Sequence, residues 1–198
     1  MTDFIKPCLA TRVPGPPGSA EWVHEIKHDG YRLQAHKDGA RVRLFTRGGH
    51  DWTARFPRIA EAVARLRATS CILDGEAAVT DPNGLAVFDL LRSGGGRKAV
   101  MFAFDLMELD GVDLRARPLL DRKAGLAKLL RKSAAIVYTE HLTGDGKIIF
   151  EHACGLGIEG IVSKRVDAPY RSGRSPAWLK TKNPEAPAVT RLLTENWK

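Results

Sequence analysis

Alternation of apolar and polar residues divides much of this chain into short strands. Between residues 21 and 46 the pattern predicts a strand, a sharp turn, a second strand and then a hairpin at Asp38-Gly39, because an Asp-Gly pair between alternating runs is a strong hairpin signal. Similar runs predict further strands at residues 71–79, 100–106, 158–163 and 178–182, with a short one near Ile136.

Apolar residues at helical spacing predict three helices between these strands. Pro57 opens the first, which carries Ile59, Val63 and Leu66 on one side. Two more are predicted at residues 119–130 and 148–154. Because helices and strands alternate irregularly, the chain is expected to be an α+β protein with antiparallel β-sheets flanked by helices.

Composition narrows the functional classes. The 198 residues carry a formal charge of +8, which favours a polyanionic partner such as nucleic acid. Cys8, Cys71 and Cys154 are odd in number and have no metal-type spacing, which argues against a disulfide framework and a zinc site. The start of the chain lacks a leader pattern and no apolar run approaches the length of a membrane span, so we expect a cytoplasmic protein without membrane contact.

Lys27 is the strongest candidate for chemistry. It lies in the run Glu25-Ile26-Lys27-His28-Asp29-Gly30-Tyr31-Arg32, in which a lysine is followed at a fixed distance by Asp-Gly. A lysine amine that attacks the α-phosphate of a nucleoside triphosphate forms a phosphoramidate and divides a hard transfer into two easier steps. Strand alternation predicts that Glu25 and Lys27 share an open face, while Trp22, His24 and Ile26 point into a core.

Five further motifs follow Lys27 in order. They are Thr46-Arg47-Gly48-Gly49, Asp74-Gly75-Glu76, Phe104-Asp105, Glu159-Gly160-Ile161-Val162-Ser163-Lys164 and Trp178-Leu179-Lys180-Thr181-Lys182. In this order and at these separations, the set resembles the nucleotidyltransferase (adenylation) domain of ATP-dependent DNA ligases. The similarity is greatest to the ligase domain of bacterial non-homologous end-joining ligases, and it extends from about Phe4 to Asn183.

The resemblance implies an ATP-grasp-like nucleotidyltransferase fold and the transfer of AMP from ATP to Lys27. It also implies that the base is recognised around Glu25 and Ile26. The other nucleotide contacts that it implies are Arg32 and Glu76 on the ribose, Phe104 and Ile161 on the two sides of adenine, and Lys180 and Lys182 on the triphosphate.

The resemblance also implies a metal site and a contact with DNA. The resemblance implies Mg²⁺, or Mn²⁺, held by Glu159 near the α-phosphate with Asp29 supporting the site. It implies that Arg47 holds the 5′-phosphate of a nick. The expected partner is therefore nicked or broken double-stranded DNA in a bacterial nucleoid.

Domain organisation is expected to be simple. Residues 1–183 are interpreted as the adenylation domain and residues 184–198 as a C-terminal tail. Only 16 residues follow Lys182, too few for the roughly 25 to 30 residues that the five strands of an OB-fold need. We therefore expect no OB-fold domain, and a repair protein or OB-domain partner that supplies its functions.

Two alternatives stay open at this point. RNA ligases and guanylate-capping enzymes share the Lys-x-Asp-Gly chemistry, so the sequence does not separate DNA from RNA as the substrate. A non-catalytic module that binds ATP or DNA ends is the other alternative. The complete motif set argues against such a module, because pure binding does not require Lys27 together with Glu159 and Lys182.

Overall fold

The structure, a computed structural model, describes residues 3–131 and 133–186 as two β-sheets, each with helices packed against it. The smaller sheet has four strands in the order β1-β10-β9-β2. Its strands are β1 (Cys8–Arg12), β2 (Trp22–Ile26), β9 (Gly160–Arg165) and β10 (Gly173–Lys182).

The larger sheet has the strand order β4-β3-β5-β6-β7, with β8 beside β6. Pairing is antiparallel apart from β6 with β8 here and β1 with β10 in the smaller sheet. Its strands are β3 (Tyr31–Asp38), β4 (Arg41–Thr46), β5 (Ser70–Ala78), β6 (Val100–Leu109), β7 (Val112–Asp113) and β8 (Ile136–Tyr138).

Four α-helices complete the fold, and none of the helices in the described part of the chain is both long and apolar enough to cross a bilayer. Short 3-10 turns at residues 53–55 and 95–97 add to them. The α-helices are α1 (Pro57–Ala64), α2 (Phe88–Arg92), α3 (Leu119–Leu130) and α4 (Gly146–Gly155).

The predicted α+β class is confirmed, and most elements lie where the pattern placed them. The hairpin between β3 and β4 turns at Gly39, whose φ of +57° suits a residue without a side chain. The pattern did not predict three short elements, β1, β7 and α2. Gly155, Gly157 and Gly160 show the spacing G-x-G-x-x-G, but this run leaves a helix and enters a strand, the reverse of the order in dinucleotide folds.

The larger sheet has two different faces. On one face, Leu33 and Ala35 of β3 join the main apolar core. α1 packs on the same side, since Ile59 and Val63 belong to that core and Lys37 Nζ donates to Ala64 O. On the other face, Arg32 and Gln34 point toward the smaller sheet, as strand alternation requires. The space between the two sheets therefore holds polar groups beside a smaller apolar cluster, and the main apolar core lies under the helices. The residues of the smaller cluster are Cys8, Ile72, Met107, Tyr170 and Trp178.

A buried ion pair fixes α3 against β6. Arg122 donates from Nε to Asp105 Oδ1 at 2.7 Å and from Nη2 to Oδ2 at 2.9 Å, and both side chains have no exposed area. Arg122 Nη1 also donates to the carbonyls of Arg117 and Ala168. Since a buried charge is tolerated only when it is paired and hydrogen-bonded, this geometry sets the position of the helix.

We predict that Arg122→Met lowers the free energy of unfolding by about 3–5 kcal/mol, because it leaves the Asp105 carboxylate buried without its partner. Urea unfolding measures the loss. Arg115→Met is the matched control, since Arg115 pairs with Asp113 on the surface and should cost at most about 1 kcal/mol. Equal losses in the two variants would contradict the importance of the buried pair.

Candidate active site

Lys27 lies directly after β2, where that strand leaves the smaller sheet. Its backbone N–H donates to Gly160 O at 2.9 Å, which ties it to the start of β9. Its ammonium group contacts Glu159 Oε2, and Lys182 Nζ lies 2.9 Å from Glu159 Oε1. One carboxylate thus holds together two lysines from separate motifs.

Two glycines beside Lys27 are required by close backbone contacts. A Cβ on Gly30 would lie 2.2 Å from Ala77 O, so this glycine lets the loop after Lys27 pass against β5. Gly160 has φ of +144°, and a Cβ there would lie 2.1 Å from Thr181 O. Gly30 thus brings the Lys27 segment close to β5, and Gly160 brings the Glu159 segment close to β10, each closer than a side chain would allow.

Register within the smaller sheet corrects the expected position of Ile161. Val162 is directly opposite Glu25 on one side and Lys180 on the other, so these three share the face that looks toward the larger sheet. Ile161 points the opposite way, into a small cluster with Ala153 of α4. Val162, not Ile161, is therefore the apolar side chain of β9 on the cleft face.

The alternation prediction for β2 also needs correction. Ile26 was expected in a core but is 41% exposed, whereas Glu25 was expected on an open face and is only 3% exposed. Glu25 Oε1 accepts from Lys123 Nζ at 2.5 Å, and Glu25 Oε2 lies 2.6 Å from Lys164 Nζ. The Glu25 side chain is therefore committed to a buried ionic cluster, formed by Glu25, Lys123 and Lys164.

The ionisation of this cluster follows from its geometry. Burial alone would raise the pKa of Glu25, but Lys164 and Lys123 outweigh it and hold that pKa below its ordinary value. Burial lowers the pKa of Lys164, although Glu25 opposes the change. Lys164 Nζ also lies 4.0 Å from the ring centre of Trp178 and 4.3 Å from that of Phe104, contacts that suit a cation.

Arg32 is held by a second buried group. Its guanidinium donates to both oxygens of Asp74, at 3.1 and 2.6 Å, and Tyr170 Oη donates to Asp74 Oδ2 at 2.6 Å. Arg32 also lies 5.2 Å from the ring centre of Phe104. The structure thus brings Arg32 and Phe104 together, and their nucleotide contacts stay predictions.

Glu76 and His28 are two titratable groups with opposite shifts near Lys27. Burial raises the pKa of Glu76 to about 7, against the nearby charges of Lys27 and Arg32. Burial lowers the pKa of His28 to about 4, and its ring stacks on Phe102 with centroids 3.8 Å apart. His28 is therefore neutral at physiological pH.

The remaining cations gather at the same opening. Lys180 has a pKa below its ordinary value, first because it is partly buried and then because Lys27, Lys182 and Arg47 are positively charged neighbours. Arg47 itself is exposed, in the turn after β4. Positive charge is thus concentrated beside Lys27, which is an arrangement suited to phosphate groups.

A cavity of about 320 Å³ opens beside Lys27. Asp29 and Glu159 both line it, so the two predicted metal-binding carboxylates face a common space. Within residues 3–131 and 133–186, however, no three His, Cys, Asp or Glu side chains come together as a ready-made metal site. A metal at this site would depend on oxygens from a bound phosphate.

Several residues at the site were not predicted as functional. Lys123 is one of them. Its position could have indicated burial, because it lies on the same side of α3 as Leu119, Leu126 and Leu130. Tyr170 and His28 had no such signal. Their roles depend on contacts with Asp74 and Phe102, which are distant in sequence.

Comparisons with known proteins agree with this geometry. The chain matches the family described as "ATP dependent DNA ligase domain" over residues 7–182. It is 40% identical over 188 residues to the multifunctional non-homologous end joining protein LigD of Pseudomonas aeruginosa, covering 92% of this chain and 22% of that protein.

Two solved structures have the same fold and substantial identity. One is a mycobacterial DNA ligase D complexed with ATP and MES, with a TM-score of 0.79, 35% identity, and coverage of 89% of this chain and 59% of that one. The other is the ligase domain of Mycobacterium tuberculosis LigD, with a TM-score of 0.78, 35% identity, and coverage of 89% and 60%. The chain therefore spans under two thirds of each of these relatives.

We predict that His28 and Glu76 give the free protein opposing pH dependences of stability. Because its folded pKa is lowered, His28 contributes stability that is lost as pH falls from 6.5 toward 4. Because its folded pKa is raised, Glu76 contributes stability that is lost as pH rises from 4.5 toward 7. His28→Gln should therefore make stability fall more steeply with rising pH than in the wild type, and Glu76→Gln should do the reverse.

Urea unfolding at several pH values between about 4.5 and 7, with a chelator and without nucleotide, measures these slopes. The two variants serve as controls for each other, since their slopes should deviate from the wild type in opposite directions. Parallel profiles for all three proteins would show that neither group titrates as its surroundings indicate.

Proposed function

The chain belongs to the ATP-dependent DNA ligase domain family, and from that premise we propose that it forms a covalent lysyl-AMP at Lys27 and transfers the AMP to the 5′-phosphate of nicked DNA during end joining. The observation that carries this proposal is the pairing of Lys27 and Lys182 with the same carboxylate, Glu159. The cations of Lys180 and Arg47 lie beside that group.

In the first step, Lys27 Nζ bonds to the α-phosphorus of ATP while the bond from that phosphorus to the pyrophosphate oxygen breaks. Nζ must lose a proton before it attacks, and that proton passes to solvent in the open cavity beside Lys27, since Glu159 is the proposed metal ligand. Lys180 and Lys182 stabilise the negative charge that the departing pyrophosphate acquires. Positive groups fixed in advance of the reaction are effective here because they need no reorganisation.

The nucleoside would lie between the two sheets, where the base meets Phe104 on β6 and Val162 on β9. Val162 takes the role expected of Ile161, because it is the residue that shares a face with Lys180. Arg32 and Glu76 remain the proposed ribose contacts. Since the Glu25 carboxylate is occupied by Lys123 and Lys164, base recognition at Glu25 and Ile26 is assigned to their backbone groups.

A divalent metal fits this site through its donor chemistry. Mg²⁺ is commonly held by one or two carboxylates together with substrate phosphates, and Glu159 with Asp29 beside the same cavity meets that requirement. Glu159 would hold Mg²⁺ or Mn²⁺, and Asp29 would support it. When bound, the metal supplies positive charge at the phosphates.

DNA would approach the opening where Arg47 is exposed. Arg47 is proposed to hold the 5′-phosphate, and nearby cations such as Arg41 and Arg43 would contact other phosphates without sequence preference. Nicked or broken double-stranded DNA in the bacterial nucleoid is the proposed substrate. A further domain or a repair protein is the proposed source of additional DNA contacts.

We predict that Lys27 is the residue that acquires AMP. Incubation with α-labelled ATP and a divalent metal, followed by a denaturing gel, should give an acid-labile label in the wild type and none in Lys27→Arg. Arginine keeps the positive charge, but its guanidinium group stays protonated at neutral pH and therefore cannot serve as a nucleophile. A label in Lys27→Arg, or equal labelling by GTP, would contradict the assignment.

Transfer is tested with the same labelled protein. Addition of a nicked duplex should move the label to the 5′-phosphate of the DNA strand. Replacement of the DNA by a nicked RNA duplex should leave the label on the protein if DNA is the substrate. Preferential transfer to RNA would favour an RNA ligase instead.

We also predict that Glu159→Gln and Lys182→Met each slow adenylate formation by about 10²-fold or more, the usual scale for the loss of one electrostatic contact made in the transition state. Single-turnover labelling with saturating ATP measures the rate. Lys147→Met is a matched control, because its ammonium group is exposed on α4, 4.0 Å from Glu151. Wild-type rates in Glu159→Gln or Lys182→Met would place the phosphate or metal contacts elsewhere.

A further inference from the structure

A second concave surface lies on the helix side of the larger sheet. It is a groove with a cavity volume of about 920 Å³ between α1 and α3, and we refer to it as the α1–α3 groove. The larger sheet separates it from Lys27, because α1 packs on the face of β3 opposite to Arg32. Its floor is apolar and consists of Ala62, Leu66, Leu109, Leu129 and Ala135.

Exposed cations surround this apolar floor. Five basic side chains line the groove against two carboxylates, those of Glu61 and Asp110. Asp110 Oδ1 already accepts the backbone N–H of Thr69 at 2.7 Å, and Glu61 faces Arg65 at 3.8 Å. The groove therefore has an excess of positive charge, carried by Arg58, Arg65, Arg67, Lys128 and Arg131.

The rim of the groove along α1 spans about two helical turns. Arg58 and Arg65 lie at the two ends of α1, seven residues apart, which is about 10 Å at 1.5 Å per residue. A partner helix that inserts side chains at positions i, i+3 or i+4, and i+7 covers the same distance. A helix with apolar residues on one side and acidic residues beside them would pack against the apolar floor and pair with the basic side chains of the rim.

Other occupants fit this surface less well. A second copy of the chain carries the same formal charge of +8, so its overall charge opposes association. Residues 187–198 include Arg191 and Lys198 against only Glu195, which is the wrong sign for this rim. Duplex DNA would use the cations but leave the apolar floor uncovered, because phosphates make no apolar contacts.

We propose that the α1–α3 groove binds an acidic amphipathic helix of a partner protein, on the side of the domain away from Lys27. Apolar side chains of that helix fill the floor, and its carboxylates pair with Arg58, Arg65 and Lys128 at the rim. The interaction does not require adenylation. It gives this domain a means of recruitment that leaves the Lys27 side open.

The test uses the full 198-residue chain and a labelled synthetic helix with leucines at i, i+3, i+4 and i+7 and glutamates beside them. Fluorescence anisotropy should show saturable binding. Arg65→Glu with Lys128→Glu should weaken it by about tenfold, since both rim charges are reversed. Ala62→Trp should also weaken it by filling the floor, which separates a groove from general charge attraction.

Matched controls make the result specific. Arg117→Glu with Lys147→Glu changes the net charge equally on exposed side chains outside the groove and should leave the affinity within about twofold. A peptide with the leucines changed to serine should bind at least about tenfold more weakly. Thermal unfolding of each variant verifies that it is folded.

Three outcomes would overturn the proposal. The first is equal weakening by the control pair and the groove pair, and the second is binding that is insensitive to Ala62→Trp. The third is displacement of the peptide by a blunt DNA duplex whose own binding falls in Arg65→Glu with Lys128→Glu, which would make the groove a nucleic-acid surface. Unchanged labelling of Lys27 in the groove variants would separate this result from the proposed function.

Discussion

The two sheets meet through an apolar cluster around Trp178 and through buried charged groups, and the pairing of those charges is the constraint on which the rest of the structure depends. Glu25 from the smaller sheet is buried with Lys123 of α3 and Lys164 of β9, so a single carboxylate links one sheet to a helix of the other layer. Arg32 with Asp74 connects the larger sheet to Tyr170 in the same way. Each pair is stable only when its partners are correctly placed, and each therefore fixes the relative position of the layers.

This constraint also explains the character of the opening beside Lys27. In the buried cluster, Glu25 pairs with both Lys123 and Lys164, whereas Lys27 and Lys182 share Glu159 at the rim. A carboxylate that holds two lysines near a cavity can release them to an incoming triphosphate. The burial that raises the pKa of Glu76 and lowers that of His28 shows how strongly the surroundings act on ionisable groups here.

The helix side of the larger sheet is built on a different principle. Its core is mainly apolar, and exposed positive charges surround the α1–α3 groove. The larger sheet separates this groove from the opening beside Lys27, so each surface can bind its own ligand. Adenylation at Lys27 on one side of the larger sheet would then be compatible with binding of a partner helix in the α1–α3 groove on the other side, in a chain of fewer than 200 residues.

The order of the motifs around Lys27, Asp74, Glu159 and Lys182 determined the family, and the apolar periodicity determined the strands and the helix from Leu119 to Leu130. These properties are local, so the sequence contains them. The sequence did not determine which strand face was open. Alternation fails between Glu159 and Ile161 because Gly160 has φ of +144°. Glu25 does share a face with Val162 and Lys180, but Lys123, 98 residues later, closes over its carboxylate and buries it. Only the tertiary structure decides these positions, since burial depends on the layer that packs above a residue as well as on its place in a strand.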